Sequence, residues 1–167
     1  MEVRSGIRKI VFIAVITAVL ETAKFSLNAI ANVELISLLT IVLTLYFGWK
    51  ISLPSLLLFA GIESIWWGVS IWTVTYFYVW PVLILLTWLL RKQMNRFTAA
   101  CLSSFYGLAF GLLCSLTTFV IAGFSAAFAW WTAGIPYDLI HGISNFLIAW
   151  FLFDPLMNMF EKLHLKI

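Results

Sequence analysis

The chain has 167 residues, 63% of them hydrophobic and only 10% charged. A soluble domain carries about 25% charged residues, so the composition excludes an ordinary soluble domain and marks an integral membrane protein. The net charge of +3 does not imply nucleic acid, because its distribution along the chain reports membrane topology instead.

A spanning helix needs about 20 apolar residues. In chain order the apolar runs predict six spans, at roughly 7–29, 33–49, 51–66, 73–90, 97–123 and 136–154, in an all-α single transmembrane domain over 1–167. The first opens "RSGIRKIVFIAVITAVL", like a signal peptide. No small-residue cleavage site followed by polar sequence appears, so a retained span is expected. It holds Ala14 and Ala18, a small-xxx-small pair that lets helix backbones approach. It also holds Glu21 and Lys24, three residues apart and able to pair with each other.

The second span opens in "NVEL", Asn32–Leu35. Asn32 there is either a helix cap with Glu34 in the favourable first turn, or both bind ligand. The third span is short. It leads into "ESIWWGVSIWTVTYFYVW", which contains Glu63, Trp66, Trp67 and Tyr76.

From Phe97 to Tyr137 there is no charged residue over 41 positions. One helix of that length would run about 60 Å, twice the hydrocarbon thickness. Breaks are expected at Gly123 and at "AGIP", Ala133–Pro136, with Pro136 in the first turn of the last helix. "GLAFG", Gly107–Gly111, is a second small-xxx-small pattern. Cys101 and Cys114 read as small buried hydrophobes, and neither a disulfide nor a metal pair is favoured.

Six spans put both termini on one side. With the N-terminus inside, the inner segments hold Arg4, Arg8, Lys9, Lys50, Arg91, Lys92, Arg96, Lys162 and Lys166, nine of the ten basic residues, leaving only Lys24. The positive-inside rule then predicts cytoplasmic termini. Glu21, Glu34, Glu63 and Asp138 fall at the outer end, together with the aromatic pairs Trp66–Trp67 and Trp130–Trp131. Such residues form an interfacial belt, or two facing aromatic loops that cover a flat ligand.

The last span begins "GIPYDLIHGISNF". Asp138, His141 and Asn145 are three and four residues apart, within an arc of about 60° on a helix. Polar groups in a span are costly and usually paired or functional. Here they either form a helix-stabilising pair and an interhelical hydrogen bond, or they offer an acceptor, a titratable ring and an amide to a ligand. No catalytic residues are expected: HExxH, GxSxG, paired cysteines and phosphate-binding glycine loops are all missing. No metal site or cofactor is expected.

The size, the six spans with inner termini, Ala14-xxx-Ala18 and the Trp-rich outer end resemble the S components of energy-coupling factor (ECF) transporters, with "NVELISLLTIVLTLYFG" and "GIPYDLIHGISNF" similar to segments of that family. The resemblance implies a multi-pass bacterial or archaeal cell-membrane protein that binds a vitamin-like substrate at its outer end. Ala14 and Ala18 would then dock on a membrane-embedded T component driven by two cytoplasmic ATPases. The substrate classes it leaves open are cobalamin, a pyridoxine- or thiamine-type heterocycle, and a queuosine precursor. The expected substrate-binding set is Asn32, Glu34, Glu63, Trp66, Trp67, Tyr76, Trp130, Trp131, Asp138, His141 and Asn145. The alternative class is a small secondary transporter or membrane scaffold without ATPase partners; inverted repeats, a mark of many secondary carriers, are not visible.

Overall fold

Hydrogen-bond economy explains the architecture: in apolar surroundings a helix satisfies its backbone within one segment. The computed structural model describes residues 2–163, and every regular element among them is helical. In chain order these are α1 (Glu2–Leu27), α2 (Ile36–Phe47), α3 (Trp49–Trp67), α4 (Ile71–Leu90), α5 (Arg96–Leu108) and α6 (Phe110–Leu163). Lys166, one of the basic residues used to predict orientation, lies outside the described residues, as does the side chain of Arg4.

The breaks between helices have local causes. Gly48, Gly68 and Gly123 take φ of 77°, 81° and 81°, a region that a side chain disfavours. After Gly68, Ser70 and Thr73 form a reciprocal capping box that starts α4. Asn95 accepts the Thr98 N–H at 3.0 Å and starts α5.

At the centre is α2. Nine consecutive residues, Ile36 to Thr44, are buried, so this helix is covered on every side. With 12 residues it runs only about 18 Å. By contrast α1 is peripheral: Ile16, Thr17 and Leu20 are buried, while Val11, Ala14, Val15, Ala18 and Val19 face outward. Thr17 ties α1 to α3 through its hydroxyl, 3.2 Å from the Ser55 carbonyl.

Gly123 reverses the chain inside α6. The two arms run antiparallel: Gly107 faces His141 and Gly142, Gly111 faces Asp138, and Arg96 pairs with Asp154. The expected fifth span, 97–123, is therefore a kinked arm made of α5 and the start of α6, offset at Ala109. The last segment differs from expectation. Instead of starting at Pro136 after a break at Ala133–Pro136, the helix continues from 124 to 163 with Pro136 in its interior. One glycine already supplies the reversal. A proline within a helix removes a single backbone bond and need not end it in these surroundings.

Among the described residues, three stretches are long and apolar enough to cross a membrane: Gly6–Leu27, Ile71–Leu90 and Arg96–Leu163. Cys114 is buried as expected, but Cys101 is exposed, because α5 turns Ala99 and Ala100 inward and the following residue outward.

Lys50, Arg91, Lys92 and Arg96 stand at one end of the bundle, where α3 and α5 begin and α4 ends. Glu21, Glu34, Glu63 and Asp138 stand toward the other. These are called here the basic and acidic ends.

The hairpin rests on close backbone approach. A Cβ at Gly107 would lie 2.9 Å from the Gly142 nitrogen and the His141 carbonyl carbon. Gly107→Ala is therefore expected to cost about 1–3 kcal/mol through overpacking. Gly134 has open space around it, so Gly134→Ala should gain up to about 1 kcal/mol if the helix is continuous there. Thermal unfolding in detergent measures both. A neutral Gly107→Ala would refute the close approach, and a destabilising Gly134→Ala would refute the continuous helix.

Candidate functional site

The acidic end contains a cavity of about 200 Å³. Its walls are the end of α1 (Lys24, Leu27), the connection 28–34, the start of α2 (Ile36), Tyr76 and Trp80 of α4, and Phe110 and His141 of α6. The connection is shaped by Asn32, whose φ of 59° is left-handed, a conformation asparagine tolerates better than most residues. Its carbonyl accepts the Ser144 hydroxyl at 2.8 Å, which pins the connection to α6.

Glu34 bridges three elements. One carboxylate oxygen accepts the Ser37 N–H at 2.8 Å, in the first turn of α2, where a negative charge suits the orphan donors and the helix dipole. The other lies 3.3 Å from Nε2 of His141. The His141 ring is buried and sits edge-to-face on Phe110, with centroids 5.0 Å apart.

The facing wall is an ion pair inside an aromatic cage. Glu63 is fully buried at 0% exposure and pairs with Lys24. The Lys24 ammonium also reaches the Tyr76 hydroxyl at 3.2 Å. It lies 4.6 Å from the Trp72 ring centroid and 4.8 Å from that of Tyr76, within cation–π range. Tyr76 in turn stacks on Phe59 at 5.8 Å. Lys24 thus pairs across to α3 rather than with Glu21 on its own helix, because the fully buried Glu63 has the greater need of a counter-charge.

The remaining expected residues go elsewhere. Asp138 accepts the Gly111 N–H at 3.0 Å, one of the orphan donors where α6 restarts after Ala109. Asn145 is buried and donates to the Ser37 hydroxyl at 3.2 Å and the Ser103 carbonyl at 3.4 Å, joining α2, α5 and α6. Asp138 and Asn145 are about 10 Å apart along the helix axis, and the cavity opens only at the level of His141 between them. Trp66 and Trp67 pack on Phe25 at 5.6 and 6.4 Å, with Trp66 left 67% exposed. Trp130 is exposed and Trp131 meets Phe128 at 6.2 Å. None of the four tryptophans lines the cavity, and the second pair stands on a continuous helix, not on a loop.

Asn32, Glu34, Tyr76 and His141 are therefore brought together, with Glu63 one shell behind Lys24. Lys24, Trp80 and Phe110 were outside the expected set. Lys24 had a signal: it is the one basic residue that the expected topology leaves outside the inner segments. Among the described residues, no three His, Cys, Asp or Glu side chains come together in a geometry that could hold a metal ion. The cavity offers a carboxylate, an imidazole, an ammonium and a phenol beside aromatic faces. These groups suit binding a small polar ring.

No protein-family model, curated protein or solved structure matches the chain.

Lys24→Met leaves Glu63 buried without a counter-charge and is expected to cost about 3–5 kcal/mol. Lys24→Met combined with Glu63→Gln should recover most of that loss. Denaturant unfolding followed by tryptophan fluorescence tests the cycle, and additive losses would show that the pair is not coupled.

Proposed function

We propose that the chain is the substrate-specific membrane subunit of an ECF-type importer, taking up a vitamin-like micronutrient. In this reading the bundle crosses the cell membrane six times, with the basic end and both termini cytoplasmic and the acidic end outside. The basic-residue asymmetry supports that orientation. The observation that carries the proposal is the cavity at the acidic end, where Glu34, His141, Lys24 and Tyr76 converge between helices. Concave sites with a few placed polar groups among aromatic walls are the usual form of small-molecule sites.

The volume narrows the substrate. About 200 Å³ lies below the usual range for drug-sized ligands, roughly 300–1,000 Å³. This favours a pyridine- or pyrimidine-type ring over a queuosine precursor, and both over a corrinoid. Ala14 and Ala18 lie on the outward face of α1, where Ala18 lines a shallow groove with Val15, Val19 and Thr22. That position supports their role as the docking surface for a T component, with two ATPases supplying the energy that this chain has no nucleotide motif to harness.

A secondary carrier is the second reading, favoured by one observation: Glu21, Glu63 and Lys24 gather inside the helical bundle, and Glu21 and buried Glu63 retain oxygens without partners. Charges buried this way often belong to ion pathways. Uptake into liposomes without ATP would select the carrier. Co-purification of a T component and two ATPases would select the importer.

Four measurements test the importer. Cysteines at Val69 and Gln93, in a cysteine-free background, are expected to label from opposite sides of the membrane; labelling of both from one side overturns the orientation. Mass spectrometry of small molecules released from the purified protein identifies the ligand. Glu34→Gln and His141→Ala should then weaken its binding between a few-fold and a hundred-fold, the range expected for a lost buried hydrogen bond. Ala14→Trp and Ala18→Trp should abolish uptake in cells and leave that affinity near wild type. If both cavity variants fold and bind like wild type, the cavity is not the site.

A further inference from the structure

At the basic end, α3 and α4 leave a groove of about 410 Å³ open to the surroundings. Its walls are Leu53 of α3 and Pro81, Ile84 and Leu85 of α4, and no polar side chain faces it apart from two indoles. Trp49 and Trp88 stand opposite each other at its mouth, both exposed. Each indole carries a cation. The Arg91 guanidinium lies 4.0 Å from the Trp88 ring centroid, and the Lys50 ammonium 6.0 Å from that of Trp49. No carboxylate lines the groove; Asp154 pairs with Arg96, at 2.6 Å from its Nε, and Glu161 lies with Asp154 in a separate cavity that Arg91 also lines.

We propose that this groove seats one anionic phospholipid of the leaflet at the basic end. The inference rests on membrane association and is independent of the substrate cavity. Apolar walls accept an acyl chain but offer nothing to a water-soluble anion. Paired tryptophans belong at headgroup depth. Two cations held on those rings, beside a groove that no carboxylate lines, select a negative headgroup over a zwitterionic one. On α4 the groove residues, Trp88 and then Arg91 follow one another in the order acyl chain, glycerol region and phosphate, while Trp49 and Lys50 stand together at the start of α3.

The experiment titrates the full chain in detergent with phosphatidylglycerol, phosphatidylcholine of the same chains, and glycerol phosphate, and counts bound molecules by native mass spectrometry. Each cation is expected to contribute about five-fold to binding of the anionic lipid. Phosphatidylglycerol should therefore bind about 25-fold tighter than phosphatidylcholine, given two such cations. In Lys50→Gln/Arg91→Gln the two lipids should bind alike. Leu85→Trp, which fills the groove from an exposed position, should weaken both lipids. Photoactivatable phosphatidylglycerol should crosslink within 49–53 and 81–91. Equal binding of the two lipids by wild type, an undiminished preference in the double variant, glycerol phosphate binding as tightly as the lipid, or crosslinks confined to other helices would each overturn the assignment.

Discussion

Nine consecutive buried residues make α2 a helix with no outward face, and the other helices are arranged to cover it. Its polar side chains cannot turn to water; Ser37 finds protein partners, while the Thr40 and Thr44 hydroxyls are buried without one. Ser37 receives Asn145, and its N–H is taken by Glu34. Covering α2 closely also brings α5 and α6 together, and the glycines at 107 and 142 are what permit that approach. An amide and a carboxylate that read from sequence as ligand groups are partly or wholly used in closing the bundle around its central helix.

The acidic end follows the same economy. A charge in a low-dielectric interior is tolerated only with a partner. Glu63 is matched by Lys24, Glu34 by His141 and the first turn of α2, and Asp138 by an orphan N–H of α6. These pairings join α1 to α3, the 28–35 connection to α6, and the two arms of the hairpin. The cavity is the space left between two of them. Its lining can therefore bind a ligand without any residue being held there for binding alone: the groups that stabilise the closed end also present hydrogen-bonding atoms to the space.

The two ends divide the molecule's chemistry. The acidic end encloses its polar groups, while the basic end displays Lys50, Arg91 and Lys92 around exposed indoles. Between them the surface is apolar, with α1 offering small side chains and the groove between α3 and α4 offering larger ones.

The helical class, the apolar runs long enough to cross a membrane, the break at Gly123, and the separation of basic from acidic ends were all legible in the residues. They depend on local backbone preference, on the length of apolar runs and on charge order along the chain. The continuity of the helix through Pro136 was not legible, since a proline signals a break only where no other residue has already turned the chain. Nor was the division of Asp138, His141 and Asn145. Periodicity puts all three on one face but does not say what that face meets at each level. Gly111 meets the first, Ser37 and Ser103 the last, and open space only the middle one. Composition and charge order are summed along the chain, so sequence alone determined them. Partner choice for a buried polar group depends on which helices lie within about 3 Å of it, and only the tertiary packing decides that.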